Sequence, residues 1–476
     1  MLEYWPHLTL LGSLNVLALT IVIPYVLLSK KEPAIAVAWV LFVLLVPLLG
    51  SLIFWAFGYN YLLNRVKHLR RQRPLFQERE RSAAISTEDD STPAGDVEIA
   101  RLARRFHAFP VRTGNAVTLY HETTEAYNAL LAAVEAAKHH LHLEFFIFRS
   151  DEAGLRLLDL LTRKAKEGVR VRLLYDAMGS VHLRQKALAP LRAAGGKVVT
   201  FLPLNPLRSR IQINLRNHRK ILVADGQVAF TGGMNIGDDY LGHGQRFGYW
   251  RDTFLRVEGP AAGDLQRIFC EDWDFAVRET LGDADYYPKL TAAGHDVVQV
   301  AASGPDQEVN TLREIYFIAF LAARERLWIT TPYTIPDAGL TDALRLARGR
   351  GVDVRVLTIA RPDHLVSFYA GKSYWSDLLE MGVKVYLYTK GMMHSKIILV
   401  DQTWASVGSA NLDNRSLRLN FEAGCLLYNS ARVAELEAAF LRDLETCQQL
   451  ERVSYERRSA LARATENACR LVSPML

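Results

Sequence analysis

Two stretches of the chain repeat one order of reactive side chains. The first reads NHRKILVADGQVAFTGGMNIGDDY and spans residues 217–240. The second reads MHSKIILVDQTWASVGSANLDNRS and spans residues 393–416. Both follow His-x-Lys-x4-Asp-x6-Gly-(Gly/Ser)-x-Asn. The positions are His218, Lys220, Asp225, Gly232, Gly233 and Asn235 in one copy, and His394, Lys396, Asp401, Gly408, Ser409 and Asn411 in the other. The two histidines lie 394 − 218 = 176 residues apart, the length of a domain rather than of a solenoid repeat.

One histidine, one lysine and one asparagine from each copy would build a symmetric pocket. Paired ammonium groups and amides suit a phosphate and its five-coordinate transition state. Paired imidazoles suit double displacement: one attacks phosphorus, and the other protonates the departing alcohol and deprotonates the incoming one. The two rings then need different protonation states, so a carboxylate should orient each. Asp252 in YWRDTFLRVEG follows the first motif and Glu422 in LNFEAG the second, at 252 − 218 = 34 and 422 − 394 = 28 residues, and each is the candidate partner of the histidine before it. The set expected to touch or orient substrate is therefore Asn235, Asn411, Gly233, Ser409, Asp252 and Glu422. A lysine beside each histidine opposes a bound cation, so the pattern disfavours zinc, and no metal is expected. HHLHLEFF, with His139, His140 and His142, reads as a helix end entering a strand that could turn Glu144 toward the cleft.

The elements that would carry these groups follow from periodicity. HRKILVAD and HSKIILVD read as strands, so each histidine shares a face with its lysine while Asp225 and Asp401 leave the opposite face and support the scaffold. Glycines after the next strand would let backbone approach a ligand, and the asparagines would offer donors. Ahead of each motif, helix and strand signals alternate: AYNALLAAVEAAKHH, LHLEFFIF, LRLLDLLTRKAKEG and VRVRLLYD before the first, LREIYFIAFLAARER, LWITTPY, LTDALRLARGRG and VDVRVLTIA before the second. The fold class is α/β, a duplicated pair of lobes with helix-covered sheets.

The chain has 476 residues, half of them hydrophobic, and the excess lies at the start. No charge interrupts Leu8 to Leu28 or Ala34 to Asn64, each longer than the ~20 residues that span a bilayer core. A cleaved signal peptide competes for the first run, but MLEYWPH lacks a basic leader. The reading is a two-helix transmembrane hairpin turned at SKKEP, with kinks at Pro24 and Pro47. The RVKHLRRQR flank, with Arg65, Lys67, Arg70, Arg71 and Arg73, outweighs Lys30 and Lys31, which favours a cytoplasmic catalytic part and anionic headgroups near the flank. The formal net charge of +6 fits an anionic partner. Cys270, Cys425, Cys447 and Cys469 show no Cys-x-x-Cys spacing and read as reduced thiols.

These motifs resemble the phospholipase D superfamily. The longer wording, NLRNHRKILVADG, TGGMNIGDDYLG, WRDTFLRVEGPA and GMMHSKIILVDQTWASVGSANLDNRSLRLNFEAG, resembles bacterial cardiolipin synthases over nearly the whole chain. The resemblance implies two fused phospholipase D-like lobes around one active site. It implies joining of two phosphatidylglycerol molecules into cardiolipin with release of glycerol, in the bacterial inner membrane and without a cofactor. It marks His218, Lys220, Asp225, His394, Lys396 and Asp401 as signature catalytic residues, with His218 as nucleophile and His394 as acid/base; symmetry allows the reverse. Gly233 stands where the second copy has Ser409, so the half-sites are not equivalent.

The expected domains are a hairpin at 1–64, a basic segment and linker at 65–109, lobe 1 at 110–290 and lobe 2 at 291–476. FLPLNPLRSRIQINLR, with Arg208, Arg210 and Arg216, and DHLVSFYAGKSYWSDLL, with Phe368, Tyr369, Tyr374 and Trp375, are candidate lipid-facing segments. The Arg-rich last forty residues either cover the cleft or lie on the bilayer. Alternatives are a phospholipase that hydrolyses lipid, a phosphodiesterase or nuclease of the same fold, and an inactive lipid-binding scaffold. No Lys/Arg track among stacking aromatics supports a nucleic-acid partner. No Gly-x4-Gly-Lys-Ser/Thr loop for nucleotide is present. Phosphatidylethanolamine could replace one lipid, and self-association is compatible with the sequence.

Overall fold

The structure is a computed structural model that describes residues 5–28, 33–55, 68, 70, 97–203, 214–428 and 430–476. The chain divides into two compact units, residues 1–68 with 205–214, and residues 69–204 with 215–476. Arg65, Lys67, Arg71, Arg73, the QERERSAAISTEDDSTPAGD linker, Arg208 and Arg210 lie outside the described residues.

In the first unit α1 (Trp5–Leu28) runs on through Pro24. The second apolar run, read as one span over 34–64, is broken into α2 (Pro33–Leu45) and α3 (Pro47–Ile53). Pro47 is the cause. It lacks an N–H and pushes the residue before it out of helical geometry, and Val46 sits at φ −136°, ψ 73°. Val22, Val26, Val43 and Phe54 form a small shared core. Among the described residues no helix is long and apolar enough to cross a membrane.

The second unit opens with α4 (Val97–Arg105) and holds two sheets of one design. Lobe 1 follows the order β1 (Val111–Glu122), α5 (Thr123–Ala136), β2 (His140–Phe145), α6 (Glu152–Lys166), β3 (Arg170–Asp176), α7 (Gln185–Ala193), β4 (Lys197–Phe201), β5 (Arg216–Asn217), β6 (Lys220–Ala224), β7 (Val228–Gly232), β8 (Trp250–Glu258) and α8 (Pro260–Val277). In space the strands read β4-β3-β2-β6-β7-β8-β1, with β2, β3 and β4 parallel and the rest antiparallel. Strand β2 is buried along its length between β3 and β6, which is why HLHLEF reads as a continuous run rather than an alternation. Helix α6 starts where the Asp151 carboxylate accepts from the Gly154 N–H at 3.1 Å.

Lobe 2 repeats the plan with β9 (Asp296–Ser303), α9 (Thr311–Ala322), β10 (Arg326–Thr330), β11 (Thr334–Ile335), α10 (Ala338–Gly349), β12 (Asp353–Ile359), α11 (Leu365–Glu380), β13 (Lys384–Tyr388), β14 (Met392–Met393), β15 (Ile397–Val400), β16 (Trp404–Gly408), β17 (Leu412–Asp413), α12 (Asn414–Arg418) and β18 (Asn420–Leu427). Its order, β13-β12-β10-β15-β16-β18-β9, matches lobe 1 strand for strand. Edge strands β1 and β9 pair antiparallel, Val111 opposite Gln299, and join the two sheets.

After β18 come α13 (Ser430–Leu444), β19 (Cys447–Gln449), which extends the sheet at β13, α14 (Arg452–Glu456) and α15 (Ala460–Arg470). The last helices pack on α11 through Glu466, which meets Lys372 at 3.1 Å and Arg458 at 2.9 Å, and through Arg470 with Asp377 at 2.7 Å. Tyr374 and Trp375, read as lipid-facing, are instead buried in lobe 2, where large rings contribute most by leaving water. Arg216 likewise does not face headgroups: it is buried 3.6 Å from Asp176.

Candidate active site

Each motif histidine lies just beyond the end of its lobe's sheet. Lys220 opens β6 opposite Phe145, the last residue of β2, and Ile397 opens β15 opposite Thr330, the last of β10. His218 and His394 therefore sit at the carboxyl ends of the parallel strands, where open α/β sheets place their ligands.

Short strands then tie each histidine to the other lobe. Strand β5 pairs with β18, and the His218 N–H donates to Phe421 O at 2.9 Å. Strand β14 pairs with β8, and the His394 N–H donates to Arg251 O at 2.7 Å. The carboxylates follow these strands. His218 Nδ1 is 3.0 Å from both oxygens of Glu422, and His394 Nδ1 is 2.7 Å from Asp252 Oδ2. This corrects the pairing expected from chain order, in which each histidine took the carboxylate that follows it. The partners are exchanged between lobes, because the strand that reaches each imidazole comes from the opposite sheet. A carboxylate on Nδ1 fixes the tautomer and leaves the Nε2 lone pair available for chemistry.

Both imidazoles and both lysines are buried. Burial pushes His218 down to about 4, against the pull of Glu422 and with the help of Lys220 and Lys396. Burial, then Lys396, pushes His394 down to about 4, against Asp252. Lys220 falls to about 7 and Lys396 to about 8, again chiefly through burial. Burial pushes Glu422 up, but His218, Lys220 and the Ser409 hydroxyl prevail and hold it at about 2. Each lysine acts on the opposite imidazole, so the two half-motifs share one field. Each ammonium also donates to the carbonyl of its own histidine: Lys220 Nζ to His218 O at 2.5 Å, and Lys396 Nζ to His394 O. A cluster that would carry up to four positive charges, most of them suppressed by burial, is chemically suited to an anion.

The remaining expected residues divide clearly. Asp225 and Asp401 are outside this cluster. Asp225 accepts from the N–H groups of Lys138, His139 and His140 at 2.8–2.9 Å, and Asp401 from those of Arg324, Glu325 and Arg326 at 2.8–3.2 Å. Both adopt positive φ, 53° and 50°, which aspartate tolerates better than most residues. The motif glycines serve strand packing rather than ligand approach. A Cβ on Gly233 would lie 2.1 Å from Asp252 Oδ1, and one on Gly408 would lie 2.5 Å from Ala423 O. Ser409 donates to Glu422 and accepts from the Ala423 N–H at 3.0 Å. On the other side Asp252 Oδ1 accepts from the Thr253 N–H at 2.8 Å instead. The asparagines also bond within the protein: Asn235 Oδ1 accepts from the Ile147 N–H at 3.1 Å, and the Asn411 amide turns to Asp413.

Sequence reasoning missed several neighbours. Phe146 stands edge-on to the His218 ring at 4.8 Å, and Trp250 lies 5.3 Å from the His394 ring. Two buried arginines brace the backbone. Arg219 donates to Glu422 O and Ser303 O, both at 3.1 Å. Arg251 donates to Asp252 O at 2.6 Å and pairs with Asp443 at 2.8 Å. Arg219 stands between His218 and Lys220, where the second copy has Ser395, so that difference between copies was the available signal. His140 and His142 belong to core packing, His142 stacking on Phe269 at 4.5 Å. Glu144 does not face the cleft; it is buried and accepts from the Asn217 amide.

Comparison with known proteins agrees with this architecture. Residues 130–273 and 317–444 match the family described as "Cardiolipin synthase, PLD-like domain". The chain is 39% identical to a cardiolipin synthase of Geobacillus kaustophilus, over 98% of this chain and 93% of that one. It is 38% identical to one of Halalkalibacterium halodurans, over 98% of this chain and 94% of that one. A crystal structure of phosphatidylserine synthase from Haemophilus influenzae shares the fold with a TM-score of 0.62 at 17% identity, covering 80% of this chain and all of that one. By family match and by full-length relatives alike, the chain belongs to the cardiolipin synthase family.

Proposed function

We propose that the protein is a phosphatidyltransferase that converts two phosphatidylglycerol molecules into cardiolipin and glycerol. The observation that carries this reading is the buried cluster of two imidazoles, each held at Nδ1 by a carboxylate of the opposite lobe and each flanked by a lysine. Family membership supports the reaction class.

His218 Nε2 attacks the phosphorus of the first lipid. The P–O bond to its headgroup glycerol breaks as His394 delivers a proton to the leaving oxygen, giving a phosphatidyl-histidine. His394 then takes the proton of a glycerol hydroxyl on the second lipid. That oxygen attacks phosphorus, the P–N bond breaks, and cardiolipin leaves. The phosphodiester bond energy is carried over in the intermediate, so no nucleotide is consumed. Lys220 and Lys396 balance charge on the phosphoryl oxygens. Burial of all four groups keeps water from competing with the alcohol. The arriving anion raises the acid histidine from the low value that burial gives it, which prepares it to donate.

The reading places the first unit in the bilayer as a multi-pass anchor in the cytoplasmic membrane, with the catalytic unit on the cytoplasmic side. Leu17, Leu27, Leu28, Leu41, Leu45 and Leu52 are each more than half exposed on α1–α3, far more apolar surface than water-facing helices present. The boundaries 1–64, 65–109, 110–290 and 291–476 remain the proposed division.

Purified full-length protein in phosphatidylglycerol vesicles tests the function. Cardiolipin and glycerol should form in equal amounts, and His218→Ala and His394→Ala should each fall to a small residual rate. Phosphatidic acid in place of cardiolipin would make the protein a hydrolase, and normal turnover by both variants would refute the two-histidine mechanism.

A further inference from the structure

The residues on either side of His218 are anchored to one buried carboxylate. Arg219 donates through Nη1 to Asp272 on α8. Asn217 donates its side-chain amide to Glu144, which hydrogen-bonds Asp272 in turn. Burial, and then the neighbouring Asp272, push Glu144 well above the usual carboxylate range.

Asp272 is itself held from an unexpected direction. Arg70, two residues beyond the first unit in the chain, is 1% exposed. Its Nη1 donates to Asp272 Oδ1 at 2.6 Å, its Nε meets Asp306 Oδ2 at 2.6 Å, and its Nη2 reaches Glu271 Oε2 at 3.5 Å. Its guanidinium lies 5.6 Å from the Phe421 ring centroid. Asp272 and Glu271 belong to lobe 1, Asp306 and Phe421 to lobe 2, and Phe421 O is the acceptor of the His218 N–H. The basic flank was read as facing lipid headgroups; at Arg70 that expectation is corrected, since the side chain is spent inside the catalytic unit.

We propose that Arg70 is a positioning residue for His218: it fixes Asp272, and Asp272 fixes the backbone on both sides of the imidazole. The planar guanidinium is suited to this, since its rigid fork meets three carboxylates in one fixed geometry, whereas an ammonium is a point charge on a flexible stem. The device is one-sided. At the position equivalent to Arg219 the second motif has Ser395, which cannot reach an equivalent carboxylate. On the His394 side Ser395 is instead met by Arg251 Nη1 at 3.3 Å, so the two histidines are braced by different devices, and the inference rests on the proposed transferase reaction.

The test uses the full chain in phosphatidylglycerol vesicles. Arg70→Ala should lower kcat about 10²-fold, the scale set by a small misplacement of a reacting group. KM for phosphatidylglycerol should change less than about twofold, because Arg70 does not touch lipid in this reading. Added guanidinium ion should restore part of the activity of Arg70→Ala and none of that of His218→Ala. Arg267→Ala, which removes a neighbour of Glu271 at 3.7 Å, should leave kcat near normal. If Arg70→Ala does not fold, folded Arg70→Gln and Arg70→Lys carry the measurement, and full kcat in either overturns the proposal. Loss of activity that guanidinium cannot restore, or that appears as a rise in KM alone, also overturns it. Wild-type protein that makes no cardiolipin would instead refute the function and leave Arg70 aside.

Discussion

A methyl group on Gly233 would sit 2.1 Å from Asp252 Oδ1, so the glycine is what allows that carboxylate to reach His394. The equivalent Ser409 is tolerated because its hydroxyl bonds the Glu422 carboxylate rather than colliding with it. The two half-sites solve the same problem with different side chains.

Gly233→Ala should therefore displace Asp252, at a packing cost of about 1–3 kcal/mol in stability. The loss in kcat should be about 10²-fold, because the general acid/base is misaligned. Ser409→Ala removes one hydrogen bond to a charged group and should cost about 1–3 kcal/mol. Thermal unfolding and steady-state assays on the two variants check both figures.

The exchanged carboxylates make a prediction that chain order does not. Asp252→Asn should cost about 10³–10⁴-fold in kcat, the range seen when a carboxylate that orients a catalytic histidine is neutralised. Combining it with His394→Ala should add little, since both changes disable one unit, whereas Glu422→Asn with His394→Ala should be worse than either alone. Additive losses for Asp252 with His394 would show that the carboxylate serves another group.

Anion binding should take up protons. Burial pushes Lys220 down to about 7 and Lys396 to about 8, so near pH 8 one is mostly neutral and the other about half neutral. An entering phosphate favours the charged forms and raises both values, so protons must be drawn from solution. Calorimetry with inorganic phosphate at pH 8 in two buffers of different ionisation heat should give net uptake. The lysine share of the uptake should fade toward pH 6, where both lysines are already charged and the imidazoles, neutral at that pH, take over. Lys220→Met should reduce the uptake, and release of protons would contradict the sign.

Asp225→Ala and Asp401→Ala should act on stability before chemistry. Each removes the acceptor for three backbone N–H groups, at a cost of about 1–3 kcal/mol. The folded fraction should keep kcat within a few-fold, which activity normalised to folded protein would establish. A loss of 10³-fold in fully folded protein would place these aspartates in the chemistry instead.

Much of this organisation is legible in the sequence because it is local. The period of HRKILVAD and HSKIILVD sets which side chains share a face, and the repeat of strand and helix signals sets the duplicated sheet. The exchange of Glu422 and Asp252 is not legible, since it arises from pairing β5 with β18 and β14 with β8 across the lobes. Distance along the chain carries no information about such contacts. Arg70 was misjudged for a related reason. Arginines after an apolar run look alike whether they meet headgroups or buried carboxylates more than two hundred residues away. The aromatic set of α11 shows the same limit: Tyr374 and Trp375 are in the core while Leu365 and Val366 stay exposed, a division set by packing against lobe 2.

The traded acids also bear on how freely the halves of such a duplicated gene can change. Asp252 on the β8 strand of the first half holds the histidine of the second, and Glu422 on β18 does the converse, so damage to either strand should be felt across the lobes. Neither half, produced separately, would contain an intact imidazole–carboxylate couple. Mixing the two as independent polypeptides should restore turnover only to the extent that they reassociate.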